Sequence, residues 1–242
     1  MTTVMNKKLS IQIWSDIMCP YCYIGKRRIE DAISLFGHED AIEIEWKSFQ
    51  LDAGFVASPD DNIFDHLAEK YRKDKDWAVE MVDNMTQNAK NTGLDFQLGK
   101  AILANSYKAH RLLHLAKKHG LGDELKELLL KAYMTEGKNV DDTDTLIALG
   151  EVAGINRELI EGVLNSDAYG QEVKKDIAMA QQIGVQGVPF FVFDNKYAVS
   201  GAQHVETFVK TLEKVWEEGN FGPQLTVLNT NEGDSCGVDG CD

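Results

Sequence analysis

The sequence predicts an α/β protein in which a β-α-β unit at the start and a β-β-α unit near the end form one small sheet domain. A long helical block is inserted between the two units. Three observations lead there. Strand-like alternation is confined to the two ends, helical periodicity dominates the middle, and neither end alone carries a complete sheet unit.

The elements follow in order. Residues 10 to 16, around "IQIWSDI", alternate and carry β-branched side chains, so they read as a strand. From Pro20 the period changes: Ile24, Ile29, Ile33 and Phe36 fall near one helical face, and Gly37 marks the stop. "AIEIEWKSFQL" reads as a second strand with Ile42, Ile44 and Trp46 on one side, and "GFVASPDD" as a turn. Residues 60 to 182 then read as almost entirely helical, in "IFDHLAEKY", "DWAVEMVDNMTQNAKNTG", "SYKAHRLLHLAKKHG", "GDELKELLLKAYMTEG" and "DTDTLIALGEVAG". A further helix spans Arg157 to Ile183, with an interruption expected near Tyr169 and Gly170. "FFVF", "DNK" and "YAVS" make a strand, a turn and a partner strand, and "HVETFVKTLEKVWEEG" a last amphipathic helix. The expected division is residues 9–58 with 184–220 as the sheet domain, 59–183 as the helical insertion and 221–242 as a tail.

Composition narrows the function. At 43% hydrophobic and 26% charged residues the chain can bury a sizeable core. Its 39 acidic against 25 basic residues give a net charge of -14, which argues against nucleic acid or anionic membrane as the main partner. No stretch approaches the roughly 20 apolar residues of a membrane span, and "MTTVMNKKLS" carries no secretory pattern. The expected compartment is the cytoplasm, where close cysteine pairs are more often catalytic or metal-binding than structural.

Two of only four cysteines, Cys19 and Cys22, stand three positions apart in "DIMCPYCYIGKRRIE". A metal clip, a structural disulfide and a reactive dithiol are the readings to weigh. Pro20 suits the first helical position, so the free N–H groups of Tyr21 and Cys22 fall near the Cys19 sulfur with the positive end of the helix dipole. That placement favours a thiolate. Cys19 then reads as the attacking thiol and Cys22 as the resolving one. A metal needs partners. Cys236 and Cys241 lie far off in the tail, while His110, His114 and His119 are explained by packing and surface. No metal is therefore expected. In "CGVDGC" the glycines let Cys236 and Cys241 close a short ring, which suggests a second redox pair on a flexible tether. Lys26, Arg27 and Arg28 read as a solvated helix face ahead of electrostatic support for the thiolate, Trp14 and Met18 as packing, and Asp16 as a polar neighbour of the dithiol or a strand end.

A strand, "CPYC" at a helix start, a helical insertion and "GVQGVPFFVF" before a hairpin together resemble the DsbA-like branch of the thioredoxin-fold oxidoreductases. The resemblance covers about residues 9 to 220 and is strongest to FrnE-type proteins, through "SDIMCPYCYIGK", "NSYKAHRLLHLA" and "GVQGVPFFVF". It implies a thioredoxin fold with a large α-helical insertion, and a protein disulfide oxidoreductase or isomerase. It also implies a cis peptide bond before Pro189, with that ring against the dithiol. Val188 would pair with an extended substrate segment, and Pro20 and Tyr21 would face it. The partners implied are protein thiols and disulfides, with glutathione or a thioredoxin system as electron donor and no bound cofactor. The dipeptide between the cysteines tunes the potential, so the direction of exchange stays open. The same fold resembles kappa-class glutathione transferases and hydroxychromene-carboxylate isomerases, which generally use serine at the place of Cys19. A non-enzymatic chaperone or binding module is the third reading.

Overall fold

The computed structural model describes residues 7–58, 61–219, 221, 236–237 and 240–241. Strands β1 (Leu9–Ser15), β2 (Ile42–Ser48), β3 (Phe190–Phe193) and β4 (Tyr197–Ser200) form one sheet in the order β2-β1-β3-β4. β1 runs parallel to β2, with Leu9 opposite Ile42 and Ser15 opposite Ser48. On its other edge β1 pairs antiparallel with β3, Ile13 opposite Phe191, and β4 closes the hairpin. The last third of the chain thus completes a sheet begun in the first. In the three-residue hairpin loop, Asp194 and Asn195 take φ of 47° and 55°, the left-handed region that these two residue types tolerate.

Helix α1 (Pro20–Phe36) links β1 to β2 and packs along the terminal helix α9 (Val205–Gly219). Phe208 of α9 meets Phe191 of β3 edge-on, ring centres 4.7 Å apart. The middle of the chain folds as α2 (Ile63–Tyr71), α3 (Lys75–Lys90), α4 (Tyr107–Lys118), α5 (Gly122–Met134), α6 (Thr143–Val152), α7 (Arg157–Leu164) and α8 (Gly170–Gln182). Asn62, Asp74, Asp142 and Asn156 cap four of these starts by accepting backbone N–H bonds. The expected interruption is there: Tyr169 takes a φ of 64° between α7 and α8. Residues 91–106 depart from the helical expectation, holding only a short 3-10 turn at Leu98–Lys100. Leu94, Phe96 and Leu98 point inward there at a spacing of two, which suits extended chain rather than helix.

The main apolar core runs through both parts, joining Leu9, Ile13, Trp46, Phe191 and Phe208 to Leu112, Leu129 and Tyr23. α5 and α8 lie against β2. Contact between α5 and α1 corrects one expectation. Lys26 is buried rather than solvated, and its ammonium meets Glu30 together with Asp123 at 3.2 Å and Glu127 at 3.3 Å. Arg27 bonds Glu30 at 2.8 Å and also Glu127, and Arg28 donates to the Ala202 carbonyl. The acidic start of α5 covers this face of α1, so the charge run joins the helical block to the sheet domain.

Candidate active site

β1 ends at Ser15, and the turn through Asp16 and Met18 delivers Cys19 to the start of α1. Cys19 is the N-cap, in extended conformation (φ -95°, ψ 112°), with Pro20 at the first helical position. The Cys19 N–H donates to the Asp16 carbonyl at 3.3 Å, and the Cys22 N–H to the Cys19 carbonyl at 3.0 Å. No acidic residue stands in the first turn, so the positive end of the helix is left to the sulfurs. Cys19 is 4% exposed and Cys22 1%, and both are free thiols. Tyr21 stands at the rim, 43% exposed.

The loop before β3 faces this helix start. The Val188–Pro189 bond is cis, and the Cys19 thiol donates to the Val188 carbonyl at 3.4 Å. Gly25 makes the approach possible. A Cβ there would lie 2.9 Å from Cγ of Pro189 and 3.2 Å from the Phe191 ring. Gly25→Ala therefore forces the Pro189 loop and α1 apart, at an expected cost of about 1–3 kcal/mol from overpacking. Urea unfolding reads that loss, and turnover should fall several-fold as the Val188 carbonyl moves from Cys19.

The two thiols titrate as a pair. The hydrogen bond with Cys22 pushes Cys19 well above the ordinary thiol range, and burial adds to it. Burial also works against a Cys22 thiolate. The hydrogen bond from Cys19, the Lys126 charge and the Ser15 hydroxyl outweigh that and hold Cys22 below its usual value. Cys19 faces an acceptor carbonyl and the Asp16 charge, and both favour its protonated form.

Cys19 opens onto a cavity of about 250 Å³. Met18, Tyr21, Val188 and Leu51 wall it on the dithiol side, and Leu67, Met81 and Met85 of α2 and α3 close it opposite. His66 and Lys70 are polar members of the same lining, whereas Cys22 does not reach it.

Behind the sulfurs lies a buried polar layer. Asp16 accepts from the Leu51 N–H at 2.8 Å and the Met18 N–H at 3.4 Å, and pairs with Nε2 of His110 at 3.3 Å. Burial opposes its charge, yet the His110 contact and these N–H bonds hold it below the usual carboxylate range. Burial likewise pushes His110 down, toward the neutral ring. His114 turns elsewhere, to the Ser48 hydroxyl at 3.1 Å and Asp176 at 3.3 Å. The two histidines thus serve separate carboxylates. Among the described residues no three His, Cys, Asp or Glu side chains gather as metal ligands. Trp14 is core, its indole donating to the Asp176 carbonyl at 2.9 Å.

Lys126 escaped the sequence reading. It lies fully buried on α5 beside Cys22. Its signal is positional: Lys126 falls on the apolar stripe with Leu129, Leu130 and Tyr133 rather than on the polar face. In the tail, Cys236 pairs with Cys241 and Gly237 with Gly240 in a two-stranded antiparallel ladder. The side chains of that second pair lie outside the described residues.

Among the described residues no helix is long and apolar enough to cross a membrane. The chain is 36% identical to the probable DsbA oxidoreductase SCO1869 from Streptomyces coelicolor, whose crystal structure matches with a TM-score of 0.81 over 97% of this chain and 98% of that one. A 2-hydroxychromene-2-carboxylate isomerase shares the fold, with a TM-score of 0.63 and 15% identity over 88% of this chain and all of that one. The uncharacterized Bacillus subtilis protein YwbO is 24% identical over 205 residues, 84% of this chain and 94% of its own length. Residues 10–213 match the model of the DSBA-like thioredoxin domain, and the chain belongs to that family.

Proposed function

We propose that this oxidoreductase exchanges disulfides with protein substrates through Cys19 and Cys22. The observation that carries the reading is the Cys19 thiol, set between a helix start and the Val188 carbonyl and opening onto the cavity. Cys19 passes its proton to Cys22 across their shared hydrogen bond and attacks a substrate sulfur. The substrate S–S bond breaks, a mixed disulfide forms, and the leaving sulfur takes the proton back from Cys22 and departs as a thiol. The Cys22 thiolate then attacks the Cys19 sulfur and releases the second substrate sulfur as a thiolate, which takes its proton from solvent, so two electrons have passed to the substrate. Run backward, the same steps oxidise a dithiol, and in alternation they isomerise. An extended substrate segment lies along Val188, with Pro189, Pro20 and Tyr21 around the reacting sulfurs.

Glutathione or a thioredoxin system restores the dithiol, and Cys236 with Cys241 serves as a second redox couple feeding the first. The matching segments "SDIMCPYCYIGK" and "GVQGVPFFVF" support placement in the FrnE-type branch, and the scarcity of cysteine supports a cytosolic setting. The test is catalysed reduction of insulin by the purified protein with glutathione or dithiothreitol as donor. A rate no faster than donor alone refutes the reading. The potential of the Cys19–Cys22 pair gives the direction: near about −270 mV for a reductant, near about −120 mV for an oxidant. An unchanged insulin rate in a Cys236→Ser/Cys241→Ser variant removes the tail from the pathway.

One observation favours a second reading, a glutathione-dependent reaction of a small molecule. The cavity beside Cys19 is largely apolar, as small-ligand sites are. Faster turnover of small apolar glutathione conjugates or disulfides than of insulin would select it.

A further inference from the structure

The segment "NSYKAHRLLHLA" opens on Asn105, a residue that the exchange reaction leaves unexplained. Its side-chain amide is fully engaged. Nδ2 donates to the carbonyls of Ala53 at 3.2 Å and Phe55 at 3.1 Å. Oδ1 accepts from Nε2 of Gln50 at 2.9 Å and from the Tyr107 N–H at 3.0 Å. Backbone carbonyls only accept and a backbone N–H only donates, so these contacts fix which way the amide faces. Three of the four bonds go to residues 50–55 and the fourth to the start of α4. Residues 50–55 follow β2 and form neither helix nor strand. Within them the Phe55 N–H reaches the Asp52 carbonyl only at 3.4 Å. Leu51, Asp52 and Phe55 line the cavity that holds Cys19, while Gln50, Ala53 and Phe55 line a second groove together with Asn105 and Tyr107. The chain here is a thin partition between two spaces. Hydrogen bonds, more than packing, therefore set its position. Asp16 holds one point of it, through the Leu51 N–H at 2.8 Å, and Asn105 holds the rest. Phe55 also meets the His66 ring of α2 edge-on, ring centres 5.4 Å apart.

We propose that Asn105 is a positioning residue for substrate selection: it holds Leu51 and Phe55 as the wall against which the side chain beside the reacting substrate cysteine rests. The proposal rests on the reading of Cys19 as the thiol that attacks protein disulfides. Leu51 and Phe55 present apolar surface to the cavity, so a large apolar side chain gains burial there that glycine does not. That gain depends on a wall held in one place. A wall free to swing into the second groove gives the incoming side chain nothing fixed to pack against. Asn105 does not itself line the Cys19 cavity, and it acts through the partition.

Asn105→Asp separates the two roles of this side chain. The carboxylate still accepts from Gln50 and the Tyr107 N–H, so the start of α4 stays bonded. It loses both donors to the partition and sets a charged oxygen against the Ala53 and Phe55 carbonyls. Reduced wild type and variant are each mixed with excess of a short symmetric peptide disulfide, carrying Phe or Gly beside each cysteine. A single turnover is quenched in acid, and the released thiol peptide is measured against substrate concentration. Wild type should half-saturate with the Phe peptide at a concentration about tenfold or more below that for the Gly peptide, the scale of one apolar group in a pocket. Asn105→Asp should bring the two half-saturation points close together while the limiting rates stay near those of wild type. No preference in wild type, or the same preference in Asn105→Asp, overturns the proposal. Limiting rates that fall equally for both peptides, with the preference kept, also overturn it and leave Asn105 a purely structural group. Peptides that wild type does not reduce at all would overturn the exchange reading, and this proposal with it. Should Asn105→Asp fail to fold, Phe55→Ala, which trims the half-buried wall itself, decides by the same loss or retention of preference.

Discussion

Cys19→Ser abolishes disulfide exchange: insulin reduction should drop on the order of a thousandfold or more, the scale expected when a nucleophile is removed. The loss follows from geometry rather than from acidity alone. Cys22 does not line the cavity and is the more deeply buried of the two thiols. A serine at position 19 leaves Cys22 as a thiol out of reach of substrate. The fold itself should survive, because serine is close to cysteine in size and can donate to the Val188 carbonyl as the thiol does. Circular dichroism and unfolding midpoints near those of wild type, together with lost turnover, are the expected pair of results. Retained turnover would move the nucleophile to another sulfur.

The largest stability effect is expected at Asp16. This carboxylate is buried and charged, and it satisfies the Leu51 and Met18 N–H groups and the His110 ring at once. Asp16→Ala leaves these donors unpaired in the interior. Removing one partner of a buried polar or ionic group costs about 3–5 kcal/mol, a large fraction of the roughly 5–15 kcal/mol that holds a domain together. Urea unfolding should show a midpoint lowered accordingly. A change under about 0.5 kcal/mol, the range of ordinary surface substitutions, would mean the layer behind the dithiol is not load-sharing.

Much of the fold is legible in the sequence because its signals are local. "IQIW" and "FFVF" announce strands by alternation or β-branching, Pro20 and Gly37 bracket α1, and the break at Tyr169 falls just before α8. Strand order is not local. That β3 pairs with β1 across a separation of some 180 residues follows from no single segment and enters through resemblance to a family. The site divides the same way. Cys19, Cys22 and Pro189 stand in motifs, and the family resemblance implies the approach of the Val188–Pro189 loop that lets Cys19 donate to the Val188 carbonyl. His110 belongs to a helix of ordinary pattern, and Lys126 is marked only by falling on the apolar stripe of α5. Their position behind the sulfurs depends on how the helical block docks onto the sheet, which also buries Lys26 where a solvated face is expected.

The most direct test of Cys19 as the attacking thiol is to trap the intermediate. Cys22→Ser protein in its reduced form is mixed with an oxidised protein substrate, quenched with acid and mapped by mass spectrometry without reduction. Substrate joined through a disulfide to the peptide bearing Cys19 is the predicted result. A variant that stays unmodified, or carries substrate only at Cys236 or Cys241, would contradict the account.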